Sequence, residues 1–340
     1  MPIFMIGTQR SGSNLLRLMM NQLPEIAATH PPHILQRIMP LEKGYGDLSK
    51  DVNFMQMVDD VCKLVELNPV PWEGVTLDRK DVAARCRSRS VVAAFGAVYD
   101  AMAEQVNAET WCCKSLANIN YLGELEAYYG DTARYIYLYR DGRDVALSFR
   151  KAVVGEKHPY HIAKEWAATQ RIALTNRKHI DPRRFYNLSY ETLTGSPETA
   201  MRGLCEFLGA TYTDSMMNFH ESDEAKRAAS SSELWGNVVK PVMADNTNKF
   251  LREMSAEDIR VFELVAGDVL DQLGYKRFHS EIGEAKVFTA DEIKHFDAEN
   301  LRLKQEVLSK VDPEDMKRRH QQAAHIKAIK DRQATPVASA

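Results

Sequence analysis

Short apolar blocks alternate with longer helical stripes along most of this chain. Ile3-Phe4-Met5-Ile6 is an unbroken apolar run and predicts a buried strand. The polar loop Gly7–Asn14 follows, and then the helical run Leu15-Leu16-Arg17-Leu18-Met19-Met20. Pro24 and Pro31-Pro32 break the next stretch into a loop that carries His30 and His33. Over residues 34–110 apolar positions recur at helical spacing, as in Val58, Val61 and Leu64 or Val91, Phe95, Val98 and Met102. Strands are predicted at Trp111–Lys114, Arg134–Tyr139 and Phe185–Leu188. Helices are predicted from Val145, over His161–Asn176, and over Pro197–Leu208, where Gly209 closes the last. Residues 291–332 are dominated by Lys, Glu, Gln and Arg with sparse apolar positions, which predicts an appended helix pair, and Ala334–Ala340 is expected to fray.

Strands alternating with helices predict an α/β fold of three layers, P-loop-like, around a central and mainly parallel sheet. It carries a helical insertion and a C-terminal helical extension. In such a sheet ligands bind at the carboxyl ends of the strands. Arg10, Lys114, Arg140 and Tyr190 each follow a predicted strand and would gather there. The expected division is a main domain over 1–278, with 34–110 as a helical cover for an acceptor, and a charged extension over 279–340. Trp166 and Trp235 read as core or pocket wall.

Composition narrows the partners. The net charge of −3 argues against a general nucleic-acid affinity while leaving room for a local basic pocket. No apolar run approaches the roughly 18 residues of a membrane span, and the chain enters a core strand at once, so neither a span nor a signal peptide is expected. The five cysteines are odd in number and lack metal spacing, which points to reduced thiols, a cytoplasmic protein and no metal site.

The chemistry concentrates in the first loop. Strand, glycine-bounded loop and helix form a cradle in which backbone N–H groups and the positive helix end converge on an anion. Gly7 and Gly12 have P-loop spacing, but Ser13-Asn14 stands where a nucleotide triphosphatase needs Lys followed by Ser or Thr. The cation is Arg10, inside the loop, so the pattern predicts an anion site that works without Mg²⁺. A second half follows the strand Arg134–Tyr139: Arg140, and Ser148 about two helical turns on, suit another phosphate, which guanidinium grips with two prongs.

Arg10-Ser11-Gly12-Ser13-Asn14 resembles the 5′-phosphosulfate loop of sulfotransferases that use 3′-phosphoadenosine 5′-phosphosulfate (PAPS), and Arg140 with Ser148 resembles their 3′-phosphate motif. Trp111-Cys112-Cys113-Lys114-Ser115 is similar to the strand ending in their catalytic lysine, and Ser189-Tyr190-Glu191 to the segment whose tyrosine lies near the nucleotide. Cys205–Gly209 resembles their Phe-Leu-Gly helix end. Val239–Val242 with Asn246–Phe250 resembles a late segment of the tyrosylprotein and bacterial branches, in which Lys249 would reach the cofactor. The ordered set spans residues 1–278.

The resemblance implies transfer of a sulfuryl group from PAPS to a hydroxyl or amine, releasing adenosine 3′,5′-bisphosphate (PAP). Arg10, Ser11, Gly12, Ser13 and Asn14 would hold the 5′-phosphosulfate, Lys114 would neutralise the bridging oxygen, and Arg140 and Ser148 would anchor the 3′-phosphate. The general base departs from the family pattern. Cytosolic members carry a His two residues after the lysine, where this chain has Leu116; the tyrosylprotein branch uses a Glu near residues 28–35, where this chain has only His30 and His33. Either imidazole is a candidate base. The acceptor is a small molecule, a saccharide or a lipid, and a homodimer through the C-terminal helices is compatible with the charged tail. The alternatives are a catalytically silent nucleotide-binding scaffold, favoured by the missing base, and a P-loop kinase, opposed by Ser13 at the lysine position.

Overall fold

A computed structural model describes residues 1–231, 233–310 and 313–334; the side chains of 231–235 and 311–319, and everything after Ala334, fall outside the description. The Trp235 side chain and the expected fray after Ala334 therefore lie outside the described residues.

Five strands make one sheet among the described residues: β1 (Ile3–Gly7), β2 (Ile26–Ala27), β3 (Thr110–Cys113), β4 (Arg134–Tyr139) and β5 (Phe185–Ser189), in the order β2-β3-β1-β4-β5. Every pair is parallel. β1 is central, with Phe4 level with Cys113 on one side and Gly7 level with Leu138 on the other. The period of two sorts the strand side chains onto two faces. Phe4, Ile6, Tyr135 and Tyr137 pack on one, Ile3, Met5, Ile136 and Leu138 on the other.

The first face is covered by the insertion: α2 (Ile34–Ile38), α3 (Asp51–Glu66), α4 (Arg79–Arg85) and α5 (Val91–Gln105), with α6 (Leu122–Tyr129) behind β3. Phe95 and Tyr99 of α5 stack against Phe4 and Trp111, so an aromatic cluster joins insertion to sheet. The second face is covered by α1 (Ser13–Met20) and later by α10 (Pro197–Leu208). Between them run α7 (Gly142–Lys151), α8 (Pro159–Asn176) and α9 (Tyr190–Gly195). The remaining helices are α11 (Asp223–Ser231), α12 (Phe250–Glu253), α13 (Ala256–Gln272), α14 (Ala290–Leu308) and α15 (Pro313–Ala334). Trp166, Phe262 and Leu270 form a third apolar cluster that binds α7, α8 and α13.

Three boundaries differ from the sequence reading, each for a local reason. β2 falls where the sequence predicts a loop, because two residues flanked by prolines carry no periodicity. α7 begins at Gly142 rather than Val145, since the Asp141 side chain accepts from Arg143 N and starts the helix early. α8 begins at Pro159 rather than His161, with the His158 ring as its cap.

The last two helices pack back on the body. Asn300 of α14 accepts from the backbone N–H groups of Lys157 and His158 at 2.8 and 3.0 Å, pinning the loop after α7. α15 lies along α3: Ile329 is fully buried, Gln322 donates to the Leu64 carbonyl at 2.8 Å, and Arg332 pairs with the buried Asp60. No described helix is long and apolar enough to cross a membrane.

Candidate active site

The phosphate loop leaves the sheet at Gly7, whose φ is +138°; a Cβ there would sit 2.2 Å from the Leu138 carbonyl oxygen of β4, so only glycine permits the close approach. Thr8 is held by a relay in which Tyr137 donates to Gln170 and Gln170 donates to Thr8 Oγ1 at 2.6 Å. Arg10 takes a left-handed φ of 70°, an expensive conformation for a residue with a Cβ. The turn aims its side chain across the strand ends, where Nε donates to Ser148 Oγ at 2.9 Å. Two residues read from separate motifs thus meet. The first turn of α1 has no capping side chain and no acid, and the buried Ser11 hydroxyl has no hydrogen-bond partner among the described residues. Those donors can serve an anion.

Arg140 faces Arg10 from the end of β4. Its Nη1 donates to the Arg10 carbonyl at 3.2 Å and its guanidinium lies 4.2 Å over the Tyr190 ring. Tyr190 accepts from Asn246 at 2.7 Å, and Arg140 also donates to the Asn246 carbonyl. Asp144 stands 3.7 Å from Arg140 and accepts from the backbone of Asn248 and Phe250, fixing the segment that carries Lys249. Burial raises the Asp144 carboxyl above its ordinary range. Burial first, and the Arg140 charge second, lower the Arg10 guanidinium. These groups line an open cleft of about 530 Å³ that also takes in Ser13, Asn14 and Lys249. Two arginines so close together, with one neighbouring carboxylate, make a strongly anion-seeking pocket.

The other half of the site lies across β1, at the end of β3. Lys114 is buried and donates to Asn14 Oδ1 at 2.6 Å, so it touches the phosphate loop. Burial, then the charges of Arg17 and Arg10, push its ammonium down to about 7. His33, at a left-handed φ of 59°, places Nδ1 2.9 Å from Ser115 Oγ. Burial, and then Lys114, lower it to about 3. His30 is more deeply buried, its backbone carbonyl accepting from Asn68 and Trp72 of the insertion. Burial and Lys114 push it well below the imidazole range. That lowering keeps both imidazoles neutral, with a free lone pair, and at the same time weakens each as a base.

The profile of the Sulfotransferase family matches residues 2–214, well over half of the chain. The chain belongs to that family. This sulfotransferase is similar to protein-tyrosine sulfotransferase A of Caenorhabditis elegans, at 24% identity over 279 residues, spanning 80% of this chain and 67% of the relative. It is 23% identical over 281 residues to protein-tyrosine sulfotransferase 2 of Gallus gallus, spanning 80% and 69%. Two solved structures share the fold at 20% identity. They are the sulfotransferase domain of the Synechococcus PCC 7002 olefin synthase (TM-score 0.52; 77% of this chain, 94% of that one) and a sulfotransferase domain from the curacin biosynthetic pathway (TM-score 0.53; 81% and 97%).

Eight of the sequence-predicted residues line this cleft (Arg10, Gly12, Ser13, Asn14, Arg140, Ser148, Tyr190 and Lys249), Ser11 is buried within the loop, Lys114 meets the cleft through Asn14, and His30 and His33 lie outside its lining. Asp144, open to sequence reasoning as a surface partner of Arg140, is instead buried beside it, and sequence reasoning passed over Asn246 as a partner of Arg140, and Arg17. The signal for Arg17 was a lone charge inside the apolar run Leu15–Met20.

Proposed function

We propose that this sulfotransferase uses PAPS as donor and passes its sulfuryl group in line to a hydroxyl or amine, in the manner of an EC 2.8.2-type enzyme, with PAP as product. The observation that carries the reading is the meeting of Arg10 and Arg140 around Ser148 and Tyr190, directly beside an uncapped helix start. The donor set suits a nucleotide anionic at two positions: N–H and hydroxyl donors without a metal-binding carboxylate pair on the loop, and a buried Arg140 Nε with no hydrogen-bond partner among the described residues. When bound, PAPS supplies the sulfuryl group on a phosphate leaving group.

In this reading Arg10, Ser11, Gly12, Ser13 and Asn14 bind the 5′ end. Arg140 and Ser148 bind the 3′-phosphate, Tyr190 backs Arg140, and Lys249 closes the wall. Lys114 stabilises charge on the leaving oxygen. His33 takes the acceptor proton, its orientation fixed through Ser115; His30 is the other candidate. Residues 1–278 constitute the transfer domain, with 34–110 over the acceptor and 279–340 as an extension. The names of the curated relatives make a tyrosine hydroxyl the first acceptor to try, ahead of saccharides, lipids and other small molecules. Five unpaired cysteines support a reducing, cytoplasmic setting. The exposed Leu301 and Leu308 of α14 support a homodimer through the extension.

Calorimetry with PAP tests the donor. Arg140→Ala is expected to bind about 10- to 100-fold more weakly, the loss of a charge-assisted contact, with an unchanged circular dichroism spectrum. Equal affinity in the variant, or no heat with the wild type, would refute PAPS as donor.

A further inference from the structure

Arg17 has no place in the chemistry so far. It is wholly buried on α1, one turn beyond the phosphate loop. Its Nη1 donates to the Ala28 carbonyl at 2.9 Å and to Glu224 Oε1 at 2.8 Å. Nε and Nη2 are buried without a hydrogen-bond partner among the described residues. Glu224 is itself shared, since Arg227 reaches it at 3.3 Å. A tie between α1 and the end of β2 needs only one donor to Ala28, which a neutral glutamine would supply. Burying a full charge with its donors half used is costly, so the charge itself needs an explanation.

That explanation lies next to it. Four titratable elements face Lys114: Arg10 from the phosphate loop, Arg17 from α1, Cys113 from β3, and His30 and His33 from the segment after β2. Lys114 donates to Asn14 Oδ1 at 2.6 Å, and Asn14 and Arg17 stand three residues apart on α1, on one face of the helix, so the helix that carries the Arg17 charge also holds Lys114. Arg17 also acts on His30, next but one to the carbonyl it holds. Glu224, which offsets it, rides on α11, and the chain beyond α11 supplies Val238 to Asn246 of the cleft wall.

We propose that Arg17 is a positioning residue of the transfer site: its buried charge, offset by Glu224 of α11, acts on Lys114 and holds the Ala28–His30 backbone beside it. The proposal rests on the reading of Lys114 as the group that meets the leaving oxygen. Removing a positive neighbour makes a lysine hold its proton more tightly, and removing the carboxylate that offsets that neighbour does the reverse.

The Lys114 side-chain NMR shift across pH in lysine-labelled protein, assigned by its loss in Lys114→Met, measures this amine without requiring turnover. Arg17→Gln is expected to raise its midpoint by about one pH unit, Glu224→Gln to lower it, and Arg17→Lys to leave it within about 0.3 of the wild type. The alkaline limb of kcat/KM should move with it. A midpoint unmoved in folded Arg17→Gln, or moved equally by Arg17→Lys, overturns the proposal. If Arg17→Gln does not fold, Glu224→Gln decides, and a midpoint that stays or rises is fatal. Full turnover in Lys114→Met would instead sink the reading of Lys114, whatever Arg17 does to its proton.

Discussion

Arg140 lies flat on the Tyr190 ring, and the same ring fills the space beside Gly12. One aromatic side chain therefore sets both the loop that would meet the 5′ end and the arginine that would meet the 3′-phosphate. Gly12 sits at φ +87°, and a Cβ would lie 2.4 Å from Tyr190 Cδ2. Gly12→Ala must accept about 1–2 kcal/mol of backbone strain and displace the ring from under Arg140. We expect PAP affinity to fall about tenfold or more, with Tm lowered by about 1–3 °C for that strain; calorimetry and thermal unfolding read the two. Affinity equal to wild type would show that ring and loop move independently. The glycine was legible from spacing, and Arg10 from its place inside the loop. The ring was not: nothing in Ser189-Tyr190-Glu191 says which glycine it touches, because the contact spans distant parts of the chain.

At the scale of elements, the strands that carry chemistry were readable because each ends in a charged or polar residue after an apolar run, as Cys113 gives way to Lys114 and Tyr139 to Arg140. Tertiary partners of the charged helices were not readable. α15 has few apolar residues, yet Ile329 is buried and Arg332 reaches the carboxylate of Asp60, which also accepts from Tyr45 at 3.0 Å. Two isoleucines one turn apart, Ile326 and Ile329, in an otherwise polar helix read as a solvated face, since burial there depends on a groove built by α3 more than two hundred residues earlier. Ile329→Ala should cost about 2–5 kcal/mol by the loss of a filled core position, measured by urea unfolding. PAP affinity should hold, since α15 packs on the insertion and away from the cleft. A variant within about 0.5 kcal/mol of wild type would mean that α15 contributes little to the fold.

Over the whole molecule, the sheet divides the cationic residues between two strand ends on either side of β1, and burial makes one of them pH-sensitive near neutrality. Lys114, pushed down to about 7 by burial, Arg17 and Arg10, is mostly charged at pH 6 and mostly neutral at pH 8. An anion bound beside it favours the charged form and raises its proton affinity. Binding must then draw a proton onto the protein wherever the unbound enzyme lacks one. The histidines add nothing to this near pH 8: His33, lowered to about 3, stays neutral, and His30 is lowered in the same direction. Calorimetry of PAP binding in buffers of different ionisation enthalpy should therefore report net proton uptake near pH 8, whereas near pH 6 the phosphate monoesters of PAP, themselves partly protonated, give up protons instead. The uptake should vanish in Lys114→Met. Because lost protonation weakens the unbound site, kcat/KM for the donor should fall as pH rises through about 7, while kcat, set by the complex, should hold to higher pH. Buffer-independent heats at pH 8 would place the Lys114 ammonium out of reach of the bound phosphates, and with it the role of this residue in the transfer.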